Sequence, residues 1–101
     1  MQTVAEVKYF ASGFLFFRVW TLQAFDPYGR LIVEISKDYG PLGNSAKFAD
    51  FLVELSKRNY KLTKAQIDEV SEALSLNLVG IFNRVTEIAP TVMTLYGAVS
   101  G

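Results

Sequence analysis

Phe25-Asp26-Pro27-Tyr28-Gly29-Arg30 carries the strongest local structural signal in this chain. Aspartate suits the first position of a type I turn, proline supplies the fixed φ of the second, and Gly29 at the fourth is free to take positive φ. The runs on either side are rich in β-branched and aromatic residues, so the stretch predicts a β-hairpin. Pairing outward from the turn sets Phe25 opposite Arg30, Ala24 opposite Leu31, Leu22 opposite Val33 and Trp20 opposite Ile35. Side-chain alternation then puts Trp20, Leu22, Leu31, Val33 and Ile35 on one face. Thr21, Gln23, Arg30, Glu34 and Ser36 fall on the other.

Working outward, the hairpin strands are expected at about 14–25 and 31–37. Ser12-Gly13 reads as a tighter turn before them, which leaves residues 3–11 open between two states. They suit a first strand of a meander, yet Thr3 and Glu6 form a capping-box pattern with apolar residues at helical spacing. After the hairpin, Asn44 or Ser45 is placed to cap a helix over about 45–58, with Phe48, Phe51, Leu52 and Leu55 on one stripe. Asn59 is a natural stop. Thr63 and Gln66 then form a capping box, with Leu62 and Ile67 as a hydrophobic staple. Ile67, Val70, Leu74, Leu78, Ile81, Val85 and Ile88 recur at steps of three and four, predicting one long helix over about 64–89 that Pro90 ends. Residues 91–101 form an apolar tail. The fold class expected is α+β, one domain over 1–101: a small antiparallel meander packed against a C-terminal helical hairpin.

Composition excludes much chemistry. The 101 residues include no histidine and no cysteine, so Ser-His, Cys-His, imidazole-shuttle and thiolate-metal machinery are all ruled out. No catalytic constellation of the remaining residue types is visible. Asp68 and Glu72 share a helix face, but no further ligands accompany them, so no metal and no cofactor is expected. Ten basic residues balance ten acidic ones, which argues against a whole-surface attraction to nucleic acid. Charge is concentrated in the middle: three charged residues lie in 1–25, fourteen in 26–69 and three in 70–101. Two apolar ends invite a membrane reading. The 17 residues from Tyr9 to Phe25, however, carry Arg18 near their centre, and Arg84, Glu87 and Pro90 interrupt the second run. The expected location is cytoplasmic, with membrane association through the apolar ends as a second alternative function.

More apolar surface is present than one small core absorbs. Leu76, Val79 and Phe82 form a second stripe beside the first on the long helix. Phe17, Val19 and Phe25 fall on the sheet face opposite Trp20, and the tail adds Val92, Met93, Leu95 and Tyr96. Contiguous apolar patches usually mark contact with a partner. The function expected is therefore a non-catalytic interaction or structural subunit that binds itself or another protein through those residues. An alternative is anion or nucleic-acid binding by Lys57, Arg58, Lys61 and Lys64 at the tip of the helical hairpin, near the free N–H groups of a helix start. Asp68 and Glu69 lie within reach to neutralise Lys64. The aromatic run from Tyr9 to Phe25 resembles a base-stacking platform only in density, since Arg18 is its one central cation.

Overall fold

The computed structural model describes residues 1–14 and 17–88. The α+β architecture is as expected: an antiparallel sheet with helices against one face. In chain order the elements are β1 (Gln2–Thr3), β2 (Glu6–Ser12), β3 (Val19–Phe25), β4 (Leu31–Ile35), α1 (Asn44–Lys57), β5 (Tyr60–Lys61), α2 (Lys64–Ala73) and α3 (Leu78–Ile88). The main sheet has the order β2-β3-β4, and β1 pairs in parallel with β5. Residues 6–12 are thus a strand. The 91–101 tail, with Val92, Met93, Leu95 and Tyr96, lies outside the described residues.

The Asp26 turn forms where expected and is held by one side chain. Its Oδ1 accepts from the N–H groups of Tyr28 and Arg30, both at 2.9 Å, while Oδ2 accepts from Arg30 Nε at 2.8 Å. Gly29 N–H donates to Asp26 O and Gly29 takes φ +77°, so a type I turn runs on into a left-handed glycine. Those backbone and side-chain donors, the Arg30 N–H foremost, hold the Asp26 carboxyl below its usual range.

The register is not the one expected. Phe25 pairs with Leu31, Ala24 with Val33, Gln23 with Glu34 and Leu22 with Ile35, with an irregularity between Ala24 and Phe25. The left-handed glycine moves the first pair by one residue. Ile32, unpaired in the bulge, adds a second. Two one-residue shifts restore parity, so Val33 and Ile35 still face the core with Leu22. Leu31 lies before the second shift and is turned to the other face, where it is 49% exposed. β3 also begins later than expected, at Val19, because the chain around Gly13 (φ +99°) makes a wider connection that includes Phe14 and Phe17.

α1 starts on Gly43, without a side-chain cap, rather than on Asn44 or Ser45. A Cβ at Gly43 would stand 2.2 Å from Tyr39 O, so only glycine lets the strand-to-helix connection close this tightly. The helix ends on Asn59 in the left-handed region (φ +65°), as expected of that residue. The Thr63–Gln66 capping box forms with both reciprocal hydrogen bonds.

The single long helix expected over 64–89 is instead two. Leu76 N–H donates to Ser71 O and Ser75 N–H to Glu72 O, with Ser75 at φ +55°, which is a Schellman termination. Asn77 then restarts the chain as a helix, its Oδ1 accepting from Val79 N–H at 3.0 Å. The apolar steps of three and four run through the break because both helices turn the same stripe inward. Periodicity alone does not see a phase change that leaves the buried side unchanged.

The core lies between the sheet and the helices. Leu22, Ala24 and Val33 from the sheet meet Phe48, Phe51, Leu52 and Leu55 of α1, and Ile67, Val70, Ile81, Phe82 and Val85 complete it. α2 is tied to the β2 side by Gln66 Nε2 donating to Val4 O and by Tyr9 Oη donating to Glu69 Oε1.

Candidate functional site

The helices cover one face of the main sheet. Strand pairing places Glu6, Lys8, Phe10 and Ser12 of β2 on the other face, with Val19, Thr21, Gln23 and Phe25 of β3 and Leu31 and Glu34 of β4. Among the described residues no helix lies over it. The central strand is apolar at both ends of this face, with Val19 and Phe25 half-buried and Thr21 buried between them. Phe10 is 48% exposed and Leu31 49%. At the β2–β3 connection Phe14 and Phe17 are more exposed still, at 76% and 80%. Polar groups sit between the apolar ones. Lys8 Nζ stands 5.0 Å from the Phe25 ring centroid, a cation–π contact, and Gln23 Nε2 donates to Glu34 Oε1 at 3.1 Å.

Of the residues expected at an interface, Val19 belongs to this face, while Phe17 lies in the β2–β3 connection and lines a cavity with Arg18, Asp38, Gly40 and Pro41. The proposed helical stripe does not exist as a surface. Phe82 is 5% exposed and part of the core, and Leu76 is half-buried in the α2–α3 connection, packed against the core. Val79 alone of the three is open to solvent. Leu76 falls in the connection that the break at Ser75 creates, and on α3 Phe82 stands beside Ile81 and Val85 on the buried stripe, which leaves Val79 outside it.

The basic tip is largely neutralised by its own neighbours. Lys57 and Arg58 both pair with Glu54, at 3.1 and 2.8 Å, and Lys64 pairs with Asp68 at 2.8 Å. Glu54 is held below its usual range, first by Arg58 and then by Lys57. Lys61, half-buried in β5, makes no ion pair among the described residues. Four cations in eight residues therefore present much less free charge than their spacing suggests.

Phe10 and Leu31 are members of the open face beyond the residues expected at a contact, and Phe14 lies in the connection beside it. The signal for Phe10 was present, since it is the apolar residue in an otherwise polar alternation Glu6, Lys8, Phe10, Ser12. Leu31 needed the bulge. Lys47 is the other surprise. It is 1% exposed, its Nζ donates to Trp20 O beyond the last β3–β4 pair, and it stands 5.6 Å from the Tyr39 ring centroid. Burial pushes its pKa down. Lys47 precedes Phe51 by one helical turn, so its burial follows from the α1 stripe. Its enclosure makes it a structural donor closing a sheet carbonyl, not a nucleophile within reach of a substrate.

A cavity of about 500 Å³ is lined by Gln2, Thr3, Asp26, Tyr28, Arg30 and Tyr60, but the Asp26 carboxylate there is already committed to the turn. Among the described residues no group of acidic side chains is placed to hold a metal ion, and no helix is long and apolar enough to cross a membrane. Comparison with protein-family models, with curated proteins and with solved structures finds no match to this chain.

Proposed function

We propose that this chain is a non-catalytic interaction subunit that assembles, with itself or with another protein, through the open face of its β2–β3–β4 sheet. A cytoplasmic setting goes with this reading as an expectation from the sequence. One observation carries it: the sheet face that no described helix covers holds Phe10 and Leu31, 48% and 49% exposed, and Phe14 and Phe17 are more exposed still in the adjoining β2–β3 connection. Antiparallel sheets tolerate one wet face, but that face is ordinarily polar. Here aromatic and aliphatic side chains occupy it, with polar residues between and around them, which is the composition of a contact surface. Removing a large apolar side chain from water contributes roughly 1.5–3 kcal/mol, so a few of these residues suffice to drive association.

Sedimentation velocity on the full chain tests this. The protein is expected to sediment as a species larger than its 11.3 kDa monomer as concentration rises. Phe10→Asp is expected to weaken assembly by about a hundredfold or more, because it loses an aromatic contact and buries a charge. Val79→Asp, exposed on α3, is expected to leave assembly as it was. A monomer at every concentration, or assembly sensitive to Val79→Asp and indifferent to Phe10→Asp, would refute the reading.

A further inference from the structure

We infer that the partner is a second copy of this chain, packed sheet face to sheet face about a twofold axis that runs along β3, with Lys8 of each copy against Glu34 of the other. This rests on the reading that the open face is a contact surface, and adds the occupant and its orientation.

The inference comes from register. Lys8 pairs with Gln23 and Gln23 with Glu34, so the three form one row across the open face. Strands about 4.8 Å apart put the cation and the anion on opposite edges of the sheet, roughly 10 Å from each other, with the central strand between them. Both are exposed, and neither makes an ion pair among the described residues.

A 180° rotation about an axis parallel to β3, lying between two facing sheets, exchanges the sheet edges and preserves position along the strand. β2 of one copy then covers β4 of the other. Lys8 faces Glu34 at one edge, and the same pair recurs at the other edge, as a twofold interface requires. Gln23 meets its own counterpart on the axis. The alternative twofold, across the strands and through the same row, sets Lys8 on Lys8 and Glu34 on Glu34. Charge therefore selects one orientation over the other. Facing sheets stand about 10 Å apart, a gap that a lysine and a glutamate span together. The customary rotation of about 30° between packed sheets shifts each end of the row by only about 2–3 Å, within the reach of a lysine. Glu6 shares the end row with Phe25 and Leu31, so the same rotation sets it over Leu31 of the other copy, at the rim, where its carboxylate reaches water. The net charge of zero adds no long-range repulsion between copies. A three-stranded face about 23 Å long is a small footprint, so the dimer is expected to dissociate on dilution.

The experiment is sedimentation velocity on the full-length chain across a dilution series, comparing the parent protein with Lys8→Glu, Glu34→Lys and an equimolar mixture of the two variants. Each single reversal places like charges together at both edges and is expected to weaken dimerisation about tenfold or more. The mixture is expected to dimerise about as well as the parent, because a Lys8→Glu chain facing a Glu34→Lys chain has opposite charges at both edges. Both substitutions are on exposed side chains, and recovery in the mixture itself shows that each variant is folded. Single variants that dimerise like the parent, or a mixture that stays monomeric, overturn the arrangement. If the parent still assembles and Phe10→Asp still abolishes it, the open face remains the contact and only this twofold falls. A parent that is monomeric throughout removes both.

Discussion

Phe51→Ala is expected to lower the unfolding free energy by about 3–5 kcal/mol, a large fraction of the roughly 5–15 kcal/mol that a domain possesses. Phe51 is fully buried in the middle of α1, the helix that lies against β3 and β4 on one side and α3 on the other. Its ring packs against Phe48 with centroids 6.4 Å apart and planes inclined by 26°. Truncation removes the apolar transfer energy and leaves a cavity that three elements would have to move to fill. Urea denaturation followed by circular dichroism measures it: the midpoint falls while the slope is unchanged. Phe14→Ala, at a side chain 76% exposed, is expected to change stability by less than about 0.5 kcal/mol. A loss below about 1 kcal/mol at Phe51 would mean that α1 does not press on the sheet as described.

Gly43→Ala is expected to cost about 1–3 kcal/mol, more than a surface glycine at a helix start would suggest. The added methyl would meet the Tyr39 carbonyl oxygen at 2.2 Å and the Tyr39 Cβ at 2.3 Å, and the oxygen belongs to the backbone and cannot rotate away. Relief requires the connection between β4 and α1 to open, which displaces Tyr39. That ring donates its hydroxyl to Asp50 at 2.8 Å and lies beside Lys47, so the substitution has a second readout. Burial, then the hydrogen bond to Asp50, pushes Tyr39 up to about 12. In the unfolded chain the phenol ionises near 10. The native state thus keeps a proton that the unfolded state gives up. The stability this contributes is complete below pH 10 and lost as pH climbs toward 12. In Gly43→Ala the Tyr39 phenol is expected to titrate earlier by ultraviolet absorbance, and the alkaline loss of stability to be shallower. An unchanged melting temperature and an unchanged phenol titration would contradict the close approach at Gly43.

Much of this fold was legible because local signals agreed with one another. The Asp26 turn, the Thr63–Gln66 box, the α1 stripe and the Asn59 stop each follow from side chains interacting with backbone a few residues away. The misplacements share another cause. The bulge at Ile32 and the helix break at Ser75 both leave the buried side of their element unchanged, so hydrophobic periodicity reads the same with or without them. The bulge acts on the exposed side, where Leu31 is turned outward, and the break takes Leu76 out of the helix while Val79 and Phe82 keep their three-residue spacing on α3. Contact surfaces are therefore the part least visible to pattern reading, since a single inserted residue re-aims them without disturbing the core. Alternation opposite Trp20 marks Phe17, Val19 and Phe25 as an outer face, and Val19 and Phe25 lie on it. Phe10 is marked by its polar neighbours Glu6, Lys8 and Ser12 only once residues 6–12 are a strand, the choice left open between two states. Lys47 required knowing that β4 stops at Ile35 and leaves the Trp20 carbonyl to be closed from the helix side.

The contact role of the open sheet face is tested most directly at Phe10 itself. A fluorine-labelled phenylalanine at position 10 reports, by its relaxation with a dissolved paramagnetic agent, how much water reaches the ring. The ring is expected to be accessible in dilute protein and to become protected as concentration rises, while the same label at Val79 stays accessible throughout. Equal accessibility of Phe10 at every concentration, up to the limit of solubility, would contradict a partner on this face.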